Sequence, residues 1–357
     1  MPHARRATRF AGLLTSVLML VGAATACGSS DSDSDSGSGS SGTGKSSANS
    51  AFPVTIPHKF GSTTIKSEPQ RIVTIGLTDQ DAVLALGKVP VGTTDWFGGY
   101  KGAIGPWAKD KLGSATAPTL LKDTGTGPQV EKIAALKPDL IIGLYSALTK
   151  AQYDSLSKFA PVVAQPKEFN DYGIPWEKQT ETTGKALGKE TEAKKLVTEV
   201  KAQFSDAVKA NPAFTNATAV VATPYEGFFV YGTQDARSRT MTSLGFKLPT
   251  DLDKVIGDQF GANISKERTD LLDTDVVIWT VPDIAEGPAK LHQDNTYKNL
   301  NVVKQGREVF LQEETDYGNA FSFVTVLSLP YVIDRLAPQL AAAVDGKPAT
   351  KVEQPAS

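Results

Sequence analysis

The sequence predicts an α/β protein of two Rossmann-like lobes joined by a single long, rigid interlobe helix. Three observations carry that expectation. Short β-branched strands alternate with helical segments from Ile72 to Ala164 and again from Ala219 to Leu311, the pattern of open, mostly parallel sheets. Between the two series, residues 174–211 read as helix with one break near Gly188. The halves also echo each other. Glu131-Lys-Ile-Ala-Ala-Leu-Lys-Pro-Asp-Leu-Ile-Ile142 has the order of Glu267-Arg-Thr-Asp-Leu-Leu-Asp-Thr-Asp-Val-Val-Ile278. In each, a Glu opens a helical turn, an Asp ends it and a buried strand follows.

The chain starts with an export signal over residues 1–26. His3, Arg5, Arg6 and Arg9 make a basic end, and Phe10 to Ala24 an apolar stretch too short to span a bilayer. Ala24-Thr-Ala26 places small residues ahead of Cys27, the only Cys of 357 residues, as lipid attachment requires. The pair Arg5-Arg6 lacks the closely following apolar residues of a twin-arginine signal, so the general secretory route is expected. Residues 27–50 are the lipidated Cys and a Ser/Gly/Asp linker that cannot bury a core. A flexible chain of that length reaches roughly 25–30 Å. Its Gly37-Ser-Gly-Ser-Ser-Gly42 matches a phosphate-loop pattern formally, but no strand precedes it. The lipid would hold the folded body at the outer face of the cell membrane.

An N-terminal lobe is expected over residues 51–187. Val54 to Ile65 reads as a hairpin turning at Gly61-Ser62, followed by a buried strand at Ile72-Val-Thr-Ile. Thr78-Asp79 can cap a helix ended by Gly87, with strands at 89–94, 140–143 and 161–164 and helices at 128–136 and 149–158. The interlobe helix spans 188–211. Ala193, Leu196, Val197, Val200, Phe204, Ala207 and Val208 share one face, and Glu190 to Ala210 measures about 31 Å at helical rise. The C-terminal lobe covers 212–345, with strands at 219–222, 228–231, 276–279 and 309–311. Its helices are expected at 239–244, 266–272 and 321–344, the last interrupted at Pro330 and Pro338. Residues 346–357 form a tail.

This arrangement resembles the helical-backbone substrate-binding lipoproteins of ABC importers, the class III group serving ferric siderophores, haem and cobalamin, in an actinobacterial form. The resemblance rests on Pro69-Gln-Arg71-Ile-Val-Thr-Ile-Gly76, Leu84-Ala-Leu-Gly87, Val89-Pro-Val-Gly92, Val130 to Ile142, Asp275-Val-Val-Ile278 and Val332-Ile-Asp-Arg-Leu-Ala-Pro338. It covers the chain from about Phe52 onward. It implies delivery of a ferric siderophore to a permease dimer with its ATPase, and a monomeric protein. It also implies permease docking through Glu131 and Glu267, one on each lobe. Haem, cobalamin, or a receptor role without a transporter remain alternatives.

In open α/β sheets ligands bind beyond the carboxyl ends of the strands. The aromatic residues in such places are Trp96 and Tyr100, Tyr145, Trp176, Tyr225, Trp279 and Tyr317. Tyr172 and Phe228 read more readily as packing. Arg237 and Arg239, between a strand and a helix, suit an anionic ligand. Thr124-Gly-Thr-Gly127 lacks the basic residue that some hydroxamate-binding relatives place there. No cofactor and no direct protein ligand to a metal is expected: His58 and His292 read as surface residues. Composition excludes other classes. With 37 Lys and Arg against 39 Asp and Glu, the chain is no dedicated nucleic-acid binder. No GxSxG, HExxH or Walker motif points to an enzyme.

Overall fold

The computed structural model describes residues 51–96, 98–122, 127–257 and 259–355. The signal segment, Cys27, the 27–50 linker and residues 124–126 lie outside them. Strands β1 (Val54–His58) and β2 (Gly61–Ile65) form the expected hairpin. Strands β3 (Ile72–Thr74), β4 (Gly92–Thr94), β5 (Thr119–Leu121), β6 (Leu140–Gly143) and β7 (Val162–Ala164) form a parallel sheet in the order β5-β4-β3-β6-β7. The second sheet contains β8 (Ala219–Thr223), β9 (Phe228–Tyr231), β10 (Gly261–Ile264), β11 (Val276–Val281) and β12 (Glu308–Gln312). Its order, β10-β9-β8-β11-β12, repeats the first, except that β9 runs antiparallel to both neighbours. Both sheets therefore reverse strand order at one place, between β3 and β6 and between β8 and β11.

The central strands β6 and β11 are wholly buried, as their continuous apolar runs predict. Edge strands β5 and β10 went unread in the sequence. Each is partly exposed, so neither carries a continuous apolar run.

In the first lobe the helices are α1 (Asp79–Ala85), α2 (Lys109–Leu112), α3 (Val130–Ala135) and α4 (Lys150–Leu156). The bridge contains α5 (Trp176–Ala186) and α6 (Glu190–Ala210), turning at Gly188, whose φ of +67° suits glycine. Along α6, Ala193 belongs to the first lobe's core, while Val197, Val200 and Phe204 join the second. One apolar face thus ties both cores together. The second lobe adds α7 (Ala236–Ser243), α8 (Leu252–Ile256), α9 (Gly287–Leu291), α10 (Asn301–Lys304), α11 (Asp316–Ser322) and α12 (Ser328–Ala343).

Several expectations change. Residues 266–272 are helical, but as a 3-10 helix. The closing helix breaks between Ser322 and Ser328 rather than at the prolines. Pro330 sits in the first turn of α12, where no amide is needed, and the helix runs on through Pro338. Residues 346–355 are mostly exposed but stay against the second lobe: Gln354 Nε2 donates to the Phe310 carbonyl, and Val352 packs on the core. His58 is buried, not solvated. Its Nδ1 accepts the Phe60 amide, leaving Nε2–H to donate to Thr63 Oγ1 at 3.0 Å, and burial lowers its pKa. The His292 ring is partly exposed and pairs with Glu308 at 3.0 Å.

The lobes also meet directly. Tyr100 Oη donates to Asp316 at 2.7 Å and accepts from Asn319. Deeper in, Trp107 Nε1–H and Thr325 Oγ1–H both donate to Asp81 Oδ2 at 2.7 Å. Burial pushes the Asp81 carboxyl up to about 6, against the effect of those two bonds. A carboxyl that holds its proton more tightly when folded adds stability below its unfolded value of 3.8 and loses it as pH rises through about 6. The full difference is about 3 kcal/mol. Relative to Asp81→Asn, the natural protein should therefore gain up to that amount as pH falls from neutral to about 4. Denaturation curves across that range measure it. A constant difference between the two would show that Asp81 ionises as an ordinary exposed carboxyl does.

Candidate functional site

The carboxyl ends of β3 and β6 frame a cavity of about 270 Å³ at the first lobe's reversal point. Leu77, Thr94, Tyr145, Ser146, Gln152 and Tyr172 are among its walls. The loop after β6 is held from below by Asp79. That fully buried carboxylate accepts the amides of Leu144 and Tyr145 at 2.8 and 3.1 Å and Gln179 Nε2 at 2.7 Å. Burial raises its pKa while these donors lower it. Sequence reasoning assigned Thr78 and Asp79 to helix capping. Thr78 makes no side-chain cap; its hydroxyl accepts from Gln179 instead. Gly76 allows this approach, because a Cβ there would lie 2.3 Å from Asp79 Oδ2. Tyr172 stands edge-on to Tyr145, their ring centroids 5.5 Å apart.

The second lobe faces this wall with a guanidinium held between a carboxylate and an aromatic ring. Asp235 caps α7 by accepting the Arg237 amide, and it also accepts Arg237 Nε–H and Nη2–H at 2.9 and 2.8 Å. The guanidinium lies 3.6 Å from the centre of the Tyr231 ring. Burial works against the Arg237 charge, but Asp235 outweighs it and raises the pKa. Arg239 Nη1 donates to the Gly173 carbonyl at 2.6 Å, beside Tyr172. Burial lowers its pKa, with Asp235 opposing. Tyr145 feels both lobes: burial raises its pKa, Asp235 adds to the rise, and Arg237 and Arg239 oppose it. Tyr145, Tyr172, Arg237 and Arg239 therefore converge. The arrangement offers aromatic faces and hydrogen-bond donors. Among the described residues no group of three or more His, Cys, Asp or Glu is set to hold a metal ion.

A two-lobed body with this cleft matches a known family over residues 73–315, described as periplasmic binding protein. The chain belongs to the periplasmic binding protein family. YfiY, a probable siderophore-binding lipoprotein of Bacillus subtilis, is 32% identical over 312 residues, 82% of this chain and 88% of its own. A periplasmic solute binding protein of Mycobacterium smegmatis shares 34% identity and superposes with a TM-score of 0.70, covering 82% and 98% of the two chains. PiaA of Streptococcus pneumoniae, solved in complex with ferrichrome, gives a TM-score of 0.73 at 27% identity, over 82% and 99%. A further relative, YhfQ of Bacillus subtilis, is a putative ABC transporter substrate-binding lipoprotein, 28% identical over 303 residues, 82% of this chain and 88% of its own.

For a periplasmic binding protein the remaining candidates divide by exposure. Tyr225 is 60% exposed, on the turn after β8 at the cleft edge. Trp96 is buried where the lobes meet. Its Nε1–H donates to the Ala103 carbonyl, and its ring meets Tyr100 and Phe323. Trp96 is thus enclosed where the lobes meet, while Tyr100 is part-buried with its hydroxyl committed to Asp316 and Asn319. Trp176 and Tyr317 belong to the core beneath α6, with the Tyr317 hydroxyl on Gln339. Trp279 is fully buried in β11 and donates to Tyr297 Oη. A ring with no free surface has nothing to offer a ligand, so Trp279 leaves the candidate set. Asp79, Asp235 and Tyr231 were missed. Asp235 stands two residues before an Arg that was singled out, which is the one local signal available.

Glu131 and Glu267 are both exposed. Each opens the segment that precedes the fourth strand of its sheet, β6 or β11. Each also follows the carboxyl edge of its sheet, so both lie at the cleft end. No helix among the described residues is long and apolar enough to cross a membrane.

Proposed function

We propose that the protein is an extracytoplasmic substrate-binding protein that carries a ferric siderophore to an ABC permease dimer and its ATPase, anchored through a lipid on Cys27. The observation that carries this reading is the pinned Arg237 facing Tyr145 and Tyr172 across the cleft. A preformed, partly apolar recess with a few fixed polar groups is the general character of a small-molecule site. The names of similar proteins point the same way: YfiY to siderophores, PiaA to ferrichrome. The protein acts as a monomer, and its lobes move little because α6 and the Asp81 and Tyr100 contacts couple them. Titration of intrinsic Trp fluorescence with ferric siderophores, on the chain from residue 51 onward, tests this. Saturable quenching by at least one complex is expected; no quenching by any overturns the ligand class.

Docking is assigned to Glu131 and Glu267. Their matching places on the two lobes give a two-point contact suited to a two-fold symmetric permease. Exposed carboxylates of this kind steer encounter and set register. The double variant Glu131→Ala, Glu267→Ala should keep its siderophore affinity and melting temperature yet fail to support uptake. Normal uptake by that variant removes the docking role.

A further inference from the structure

The proposed function leaves one fully buried carboxylate, Asp79, without a part in it. Among the described residues no Lys, Arg or His acts on it. Three neutral donors meet it instead: the Leu144 amide on Oδ2, and the Tyr145 amide and Gln179 Nε2–H on Oδ1. A carboxylate only accepts, so it takes all three, whereas an asparagine would turn an N–H toward one of them. The Tyr145 peptide is also fixed from its other side, because its carbonyl accepts the Leu77 amide at 3.1 Å. Gly76 makes room for both contacts: a Cβ there would lie 2.3 Å from Asp79 Oδ2 and 2.9 Å from the Tyr145 carbonyl oxygen. The segment after β3 thus clamps the loop after β6 where the first sheet reverses its strand order, and there Tyr145 lines the cavity.

The third donor links this clamp to the bridge. Gln179 lies on α5 and shares its Nε2 between Asp79 and Thr78 Oγ1. Just ahead of α5, the Gly173 carbonyl holds Arg239 of the second lobe, and Trp176 at the start of α5 packs in that lobe's core. Resting on the function proposed above, we propose that Asp79 is a positioning residue of the ligand cleft. Through the Leu144 and Tyr145 amides on one side and Gln179 on the other, it fixes Tyr145 relative to the bridge, and so relative to Arg237 and Arg239. A wall held by buried charge-assisted hydrogen bonds keeps its geometry before the ligand arrives, so binding does not have to offset the cost of ordering it.

The test is a double-mutant cycle on the chain from residue 51 onward, read by fluorescence titration with ferrichrome, ferrioxamine B and ferric citrate. For each complex that the natural protein binds, Asp79→Asn should weaken binding about ten-fold or more, the usual effect of losing bonds to a charged group. In the Tyr145→Ala background the same substitution should change affinity less than about two-fold, because the residue through which it acts is gone. Gly76→Ala alters no charge but forces the clamp open, and it should show the same dependence on Tyr145. If Asp79→Asn does not fold, Gly76→Ala carries the cycle. Hydrogen exchange gives a readout without ligand: the Leu144 and Tyr145 amides should exchange about ten-fold or more faster in both variants, while those of β6 keep their natural rate. Normal binding by these variants, or an equal loss of affinity with and without the Tyr145 ring, overturns the positioning role and leaves Asp79 a purely structural residue. Failure of the natural protein to bind any of the three complexes instead removes the function on which the role rests, and the exchange rates still decide the clamp.

Discussion

Arg237→Ala is expected to abolish tight ligand binding and to lower stability by about 3–5 kcal/mol, the usual effect of stranding a buried charge. The reason is Asp235, which is only 3% exposed and holds Arg237 through both Nε and Nη2. With the guanidinium gone, Tyr231 also loses the cation now 3.6 Å from its ring centre. The α7 cap survives, because it uses the backbone amide of residue 237. The double variant Asp235→Asn, Arg237→Ala removes the stranded charge. It should recover most of the stability but none of the binding. Chemical denaturation and fluorescence titration on the same samples separate the two effects. A single Arg237→Ala variant of unchanged stability would mean that Asp235 stays well solvated, against its burial.

Trp279→Ala is expected to cost about 3–5 kcal/mol with no specific effect on the ligand, as truncating a large buried aromatic does. The ring sits in the middle of β11, fully buried, edge-on to Phe228 and Tyr297. Its Nε1–H donates to Tyr297 Oη at 2.6 Å, and Tyr297 Oη in turn donates to Glu308 at 2.5 Å. Truncation opens a cavity and leaves that buried chain short of a donor. Trp279→Phe should keep most of the packing and full ligand affinity while lowering the melting temperature by a smaller amount. Weakened ligand binding in Trp279→Phe without a change in stability would return this residue to the cleft.

Trp279 and Arg237 show how far local reading reaches. Trp279 ends the four-residue run expected as a strand, and such a position opens onto the cleft. The strand in fact runs two residues further, to Val281, and places the ring inside. Trp96 and Tyr100 stand in a Gly-rich loop of the kind that often meets ligands. That loop instead folds against Phe323 and Asp316 of the other lobe, more than two hundred residues away. Tyr172 was set aside as packing and lines the cavity. In each case the residue type was informative, and the face it presents was decided by an element remote in sequence.

The sequence by itself determined the alternation of the inner strands with their main helices, the bridge with its turn at Gly188, and the family. Hydrophobic period, β-branching and turn chemistry are properties of neighbouring residues, and the central strands and α6 are buried enough to display them. Edge strands β5 and β10 are not, and only pairing with β4 and β9 defines them. Tertiary structure alone decided the state of the charges. Burial raises the pKa of Asp79 beneath the β6 loop and of Asp81 between the lobes, in each case against the hydrogen bonds they accept. The net charge of −2 over the whole chain said nothing of Tyr145, on which Asp235, Arg237 and Arg239 of the other lobe all act. Burial and Coulomb interaction depend on distance in space, and the groups concerned come from loops that only the finished sheets bring to one end.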